Sequence, residues 1–251
     1  MFDVKIHATG SDGNCVSISN GAVTILVDVG LPKTKVEKIL LAAGIDPTKI
    51  HSIWITHEHQ DHCRGLGFAD KYKIPVYASE GTLKALERLD SGKVIKAGNS
   101  ICFEAFSITN HMFVTAFNVS HDAMEPLGFA IQSGAGKVSV MMDTGYVTDE
   151  MLHAMANSDI YVFECNHDED MVVNGDYPDV TKSRVLADTG HLSNEAAASA
   201  LAKLVHGLGE KIYLTHMSSN NNMPALAQGT VKRALKAKGL LAGKHYELEV
   251  L

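Results

Sequence analysis

Three histidines and two acids fall within six consecutive residues, His57 to His62, in the stretch WITHEHQDHCRG. Imidazole and carboxylate are the side chains that a borderline divalent ion such as zinc accepts together. The apolar run IHSIWITH in front of them predicts a buried strand, so the cluster sits where a strand opens into a loop. Alternation along that exit turns His57 and His59 the same way. Asp61 and His62 follow in a tight turn and can face a second ion. A metal pair needs ligands from elsewhere as well, and three strand ends offer them. His121 closes FNVSHDA, Asp143 closes VSVMMDTG and His216 closes IYLTHMS. Each is the first polar residue after an apolar run. Singly, each is as well explained as a plain polar terminus; together they predict a metal centre assembled from several strand ends.

The elements that must position these residues follow from pattern. FDVKIHAT and VTILVDVG read as strands, PKTKVEKILLAAG as a helix with Pro32 near its start and Gly44 at its stop. GLGFADKYK continues as helix, IPVYAS as strand and EGTLKALERL as helix. Residues 93–142 read as all-β, with ICFEAFSIT, FVTAFNVS, LGFAIQ and KVSVMMD in succession. TDEMLHAMANS is helical, DIYVFECN a strand, SNEAAASALAKLVHG a helix capped by Ser193, KIYLTHMS a strand, ALAQGTVKRALKAKG a helix and HYELEVL a last strand. Residues 166–190 read as a long loop, a length that is usually functional or disordered. No Pro/Gly/Ser linker divides the 251 residues, so a single α/β domain over 1–251 is expected.

Composition narrows the class. Net charge is −7, which argues against a general nucleic-acid coat protein but not against a nuclease, because bound divalent metals and a local basic patch can reverse the potential in a cleft. Apolar runs fall short of the ~20 residues of a membrane span, and MFDVKIHATGSDGN does not have the pattern of a signal peptide. Four cysteines without CxxC spacing predict reduced thiols and a cytoplasmic setting.

HxHxDH followed in order by His121, Asp143 and His216 resembles the metallo-β-lactamase fold superfamily, across nearly the whole chain. That resemblance implies a four-layer αββα sandwich with two metal ions, zinc or manganese, at one sheet edge. It implies that His57, His59 and His121 hold the first ion, that Asp61, His62 and His216 hold the second, and that Asp143 bridges them. Asp61 is then catalytic as well as a ligand. Asp28 in ILVDVG resembles the acid that orients such a cluster. Two ions ~3.5–4 Å apart bind and acidify a bridging water.

Other motifs choose among the superfamily's lactamases, thioesterases, flavoproteins and nucleases. GSDGN at 10–14 resembles the GSSGN turn of the YycJ (WalJ) type of phosphodiesterase and 5′-exonuclease. GYVTDE, CNHDEDM, GDYP, TGHLSN and LTHMSSNNNMPALA resemble segments of the same group, over most of residues 5–228. Asp12 departs from it, standing where many members have Ser. The resemblance implies a binuclear phosphodiesterase, a 5′-to-3′ exonuclease with DNA as its partner. The alternatives are a hydrolase of small phosphodiesters such as cyclic nucleotides, and a glyoxalase-II-like thioesterase. His191, just before a helix N-terminus that favours anions, resembles the histidine that protonates the leaving oxygen in transfer-RNA 3′-processing endonucleases. Gly10, Gly13 and Asn14 could offer N–H groups to an anion, with a simple hairpin turn as the alternative. Ser11, His167, Lys182 and Arg184 complete the candidate substrate contacts or supports.

Overall fold

A computed structural model describes residues 1–104 and 110–251. The chain divides into two compact units, residues 1–118 with 123–136, and residues 119–122 with 137–251.

The first unit opens with β1 (Asp3–Ala8), β2 (Cys15–Ser19) and β3 (Thr24–Val27), an antiparallel run joined by the GSDGN turn and a second turn at Gly21. The sequence reading missed β2, whose CVSIS lies directly against the glycine-rich turn. From β3 the chain changes habit: β3, β4 (Ser52–Trp54), β5 (Val76–Ala78) and β6 (Lys93–Val94) pair in parallel. Parallel pairing requires crossovers. These are α1 (Lys33–Ala42), α2 (Gln60–Cys63) with α3 (Gly67–Tyr72), and α4 (Glu80–Ala85). Gly44, at φ 77°, ends α1 as expected for a left-handed stop. Leu26, Ile53 and Ile55 meet Val36, Leu40 and Phe68 from the helices in one fully buried core. Each such side chain contributes roughly 1.5–3 kcal/mol by leaving water. An antiparallel run, β7 (Ser100–Phe103), β8 (Met112–Asn118) and β9 (Leu127–Ser133), completes this unit. The end of the expected strand ICFEAFSIT falls on 105–109, outside the described residues.

The second unit is built on β10 (Gly136–Met141), β11 (Ile160–Glu164), β12 (Glu210–Thr215) and β13 (Tyr246–Val250), all parallel. All five residues of β11 are buried, the signature of a parallel strand covered on both faces. Its helices are α5 (Asp149–Met155), α6 (Glu169–Asn174), α7 (Asp179–Val185), α8 (Asn194–Leu204) and α9 (Pro224–Ala237). Ser193 caps α8 by accepting the Ala196 N–H, an interaction worth about 1 kcal/mol. The expected long loop 166–190 is corrected: it holds α6 and α7. Asp168 caps α6 through the Met171 N–H, while α7 buries no residue, so neither shows the apolar periodicity by which longer helices are recognised.

Candidate metal and active site

HEHQDH leaves β4 and turns at once into α2, with His59 extended at its N-cap. The turn gathers the imidazoles: His57 lies 4.6 Å from His59 and 4.1 Å from His62 between ring centroids. His57 and His62 are buried. Crowding of this kind repels if the rings carry protons and suits a shared cation if they do not.

Asp28 anchors the group. Its Oδ2 lies 2.7 Å from His62 Nδ1, and its carboxylate accepts the Thr56 N–H (2.9 Å) and the Thr56 hydroxyl. Burial pushes the Asp28 carboxyl up, and the His62 and Thr56 contacts pull it back part of the way. The Thr56 hydroxyl, having given its proton to Asp28, accepts from His57 Nδ1 at 3.0 Å. Both rings therefore carry their proton on Nδ1, which makes Nε2 the ligating nitrogen.

The GSDGN turn supports this loop from beneath. Asn14 N–H donates to Asp61 O (2.7 Å), Asn14 Nδ2 reaches His62 Nε2 (3.1 Å), and Asn14 Oδ1 accepts the Gly10 N–H (2.9 Å). Gly13 N–H donates to Gly10 O. The anion-nest expectation is thereby corrected: the N–H groups of Gly10 and Gly13 are engaged inside the turn and that of Asn14 on Asp61 O. Asn14 is fully buried and supports the histidine loop, while Ser11 and Asp12 are exposed at the tip. Gly30 lets the segments touch, since a Cβ there would lie 1.6 Å from Asp61 O. Glu58, not singled out from sequence, accepts the Met124 N–H at 2.7 Å, three residues past His121. Glu125 in turn accepts the Gly81 N–H at 2.8 Å.

In the second unit, Asp143, Glu164, His191 and His216 bring ligand-type atoms within 4.8 Å of one another, a group that could hold a metal ion. His216 Nδ1 lies 2.9 Å from Asp143 Oδ1 and 3.4 Å from Glu164 Oε1. His191 Nδ1 lies 2.8 Å from Glu164 Oε1 and 3.3 Å from Asp143 Oδ1. Burial alone would lower the His191 pKa; the Glu164 charge and the bonds to Asp143 and Glu164 outweigh it and raise it to about 9. Burial likewise opposes ionisation of Glu164, and the His191 cation wins, holding that carboxyl below its usual range. Glu164 was missed in the sequence, yet it obeys the rule that found Asp143 and His216: it is the first polar residue after the apolar run of β11.

His121 Nδ1 donates to Gly190 O at 3.0 Å. A carbonyl only accepts, so this ring too carries its proton on Nδ1. Burial lowers the pKa of His121. The three histidines His57, His62 and His121 thus share one arrangement, with Nδ1 held by an oxygen and Nε2 as the ligating atom. That arrangement fits a divalent metal. Asp28, Asp143 and His216 also share a backbone state: their φ values are 59°, 55° and 54°, in the left-handed region that non-glycine residues seldom occupy. Each stands at the exit of a strand, where this twist re-aims the side chain. Strain of about 1–3 kcal/mol per residue is held by the surrounding bonds.

His167 is buried beside Glu164 and His191, its pKa lowered by burial. Asn166 Nδ2 donates to His216 O at 2.7 Å, and Asn222 Nδ2 contacts Cys165 O, Asn166 O and Asn194 Oδ1. The asparagine run after His216 is therefore a clamp across three segments. Arg184 holds Asp122 through two bonds, and Lys182 donates to Val173 O. Both cations have protein partners at the surface.

Residues 24–217 match the family described as "Beta-lactamase superfamily domain". The chain is 38% identical over 97% of its length to "Exodeoxyribonuclease YycJ" of Bacillus anthracis, covering 93% of that protein. It is 34% identical over 98% of its length to "Exodeoxyribonuclease WalJ" of Streptococcus pneumoniae, covering 93% of it. In fold it resembles the metallo-beta-lactamase fold protein YhfI of Bacillus subtilis, with a TM-score of 0.73 and 17% identity, over all of this chain and 95% of the other.

Proposed function

The chain belongs to the beta-lactamase superfamily and, within it, to the family of the exodeoxyribonucleases YycJ and WalJ, and on that premise we propose that it shortens DNA from its 5′ end by phosphodiester hydrolysis. It has the metallo-β-lactamase fold, two sheets flanked by helices, and is a metal-dependent hydrolase. We assign His57, His59 and His121 to one divalent ion, Asp61, His62 and His216 to a second, and Asp143 to both, all within one catalytic domain. Mixed imidazole and carboxylate ligands suit zinc, which also exceeds manganese in intrinsic affinity. When bound, such a pair acidifies a water and neutralises charge on phosphoryl oxygens. Asp28, Thr56 and Asn14 keep the imidazoles in place for it.

The observation that carries the reading is the pairing of half-buried His191 with fully buried Glu164 beside Asp143. A sugar alkoxide is a poor leaving group and needs a proton as the P–O bond breaks. A thiolate leaves without one. With Nδ1 held by Glu164, His191 has Nε2–H as the proton to give. This separates the site from that of a thioesterase. Ser11, His167, Lys182 and Arg184 remain candidate contacts for the strand. Four free cysteines, three of them buried, favour a compartment that keeps thiols reduced, and we assign the protein to the cytoplasm. Among the described residues, no helix is long and apolar enough to cross a membrane.

End-labelled DNA, RNA, a cyclic nucleotide and a thioester, each incubated with metal-loaded protein and the products sized, test the reading. Stepwise loss of mononucleotides from the 5′ end of DNA is expected, falling steeply with added salt because phosphate contacts release counterions. Thioester hydrolysis without cleavage of any polynucleotide would overturn it, and cleavage of cyclic nucleotides alone would move the substrate class to small phosphodiesters.

A further inference from the structure

The loop that follows Asp143 is fixed at almost every residue except the side chain it displays. Thr144 N–H donates to Glu164 Oε2 at 2.8 Å, and Thr144 Oγ1 both accepts the Ser120 N–H (3.1 Å) and donates to Tyr146 O (2.8 Å). Gly145 N–H donates to Ser120 O at 2.9 Å. Gly145 also packs without clearance on the segment leading to His191: a Cβ there would lie 2.2 Å from Asp188 O and 2.6 Å from Ala187 O. Thr148 then caps α5 through the Met151 N–H. The backbone of residue 146 is thus pinned between the Asp143 exit and the His191 segment.

The side chain at that point is a tyrosine, 46% exposed. Among the described residues, the exposed aromatic side chains are Tyr146 and Phe113, and Phe113 lies on β8, in the other unit. The Tyr146 ring makes no ring contact and its hydroxyl no hydrogen bond among the described residues. A single exposed apolar side chain is ordinary at a protein surface. This one differs in being a flat ring on an immobilised backbone, three residues from Asp143 and next to Gly145, which packs on the segment leading to His191. A tyrosine has few rotors to freeze, so little entropy is lost when something stacks on it.

We propose that Tyr146 is the platform on which a nucleobase of the DNA strand stacks close to the reacting phosphate. The proposal rests on the exonuclease reading above and names how that site holds a base. Stacking is indifferent to base identity because every base has a π-face, which suits an enzyme that must accept each nucleotide in turn. It also gives this acidic chain a hold on DNA that does not depend on cations, and the Lys182 and Arg184 side chains already have protein partners.

A cycle pairing Tyr146→Ala with an abasic residue at the strand end tests it. Binding is measured on metal-loaded protein with a non-hydrolysable phosphorothioate strand carrying 2-aminopurine at its end, and KM and kcat with the matching cleavable strand. Tyr146→Ala should weaken binding and raise KM by roughly 5- to 150-fold, the range of one base–aromatic stack. Tyr146→Phe and Tyr146→Trp should restore it. The abasic strand should cost the wild-type protein a similar factor and the alanine variant almost nothing more. Equal losses on intact and abasic strands would overturn the proposal, since the tyrosine would then be acting through the backbone or the fold. Unchanged binding with Tyr146→Ala would overturn it too. Those results differ from a wild-type protein that neither binds nor cuts DNA, which would remove the exonuclease reading itself and the platform with it.

Discussion

His191 Nδ1 and Glu164 Oε1 are 2.8 Å apart, and the other oxygen of the same carboxylate accepts the N–H of Thr144, the residue after Asp143. One buried acid therefore ties the candidate proton donor to the backbone that places the candidate bridging carboxylate. Geometry at these two positions is coupled through Glu164.

That coupling predicts a leaving-group dependence. His191→Ala should slow hydrolysis of DNA by ~10²–10⁴, the usual contribution of general acid catalysis. It should slow a bis(nitrophenyl) phosphate far less, because nitrophenolate departs without a proton. Glu164→Gln keeps an oxygen for Nδ1 but removes the charge, and should fall between wild type and His191→Ala on DNA. Equal slowing on both substrates with metal content preserved would make His191 a phosphate-positioning group. Loss of metal would make it a ligand, as its place in the four-residue cluster also allows.

Metal content tests the bridging role. Purified protein should carry close to two divalent ions, and Asp143→Ala should lower that number and abolish hydrolysis. Elemental analysis finding full occupancy in the variant would defeat the assignment. The left-handed φ of 55° at Asp143 adds a control: Asp143→Gly relieves the backbone and should melt higher than Asp143→Ala while binding no more metal.

Glu58 should act through position alone on the ion proposed above for His57, His59 and His121. Its bond to the Met124 N–H fixes the segment just past His121. Glu58→Ala should weaken the affinity for that ion about tenfold, within the 10–100-fold typical of groups that orient ligands. Glu58→Gln, which still presents an oxygen, should recover most of it. Titration with a competing chelator reads this directly. Identical affinities in all three proteins would assign Glu58 a purely structural role.

Acid should destabilise the protein through histidines outside the cluster. Burial lowers the pKa of His7, with Lys5 adding to the effect and Asp3 opposing it, and burial alone lowers that of His51. Below the ordinary value of 6.5 the unfolded chain binds these protons and the folded chain resists them. Their contribution is complete above that pH and is lost as pH falls through the lowered folded values. Urea midpoints of chelator-treated protein should therefore be lower at acid pH than at neutral pH. His7→Gln, which preserves a partner for the Ser17 hydroxyl now 2.8 Å from Nε2, should flatten the difference. A midpoint that rises on acidification would contradict the sign.

The sequence by itself determined which residues could be ligands, because an imidazole or carboxylate at the end of an apolar run is visible without knowing what it meets. It also determined α1, α8 and α9, whose length, caps and periodicity are local properties. Tertiary structure decided which strand ends share an edge. β10, β11 and β12 are parallel neighbours, with Met141 opposite Phe163 and Glu164 opposite Thr215. Asp143, Glu164 and His216 therefore emerge side by side, and Glu164 enters the cluster through register, which links residues far apart in the chain. The same holds for Asn14: only the fold shows its amide engaged beneath Asp61 and His62, where the motif had suggested groups offered to an anion. Strain at Asp28, Asp143 and His216 is likewise a property of the folded chain, since nothing in an isolated strand end makes a left-handed turn favourable. A sequence records what each side chain can do, and the pairing of strands selects which of those capacities meet.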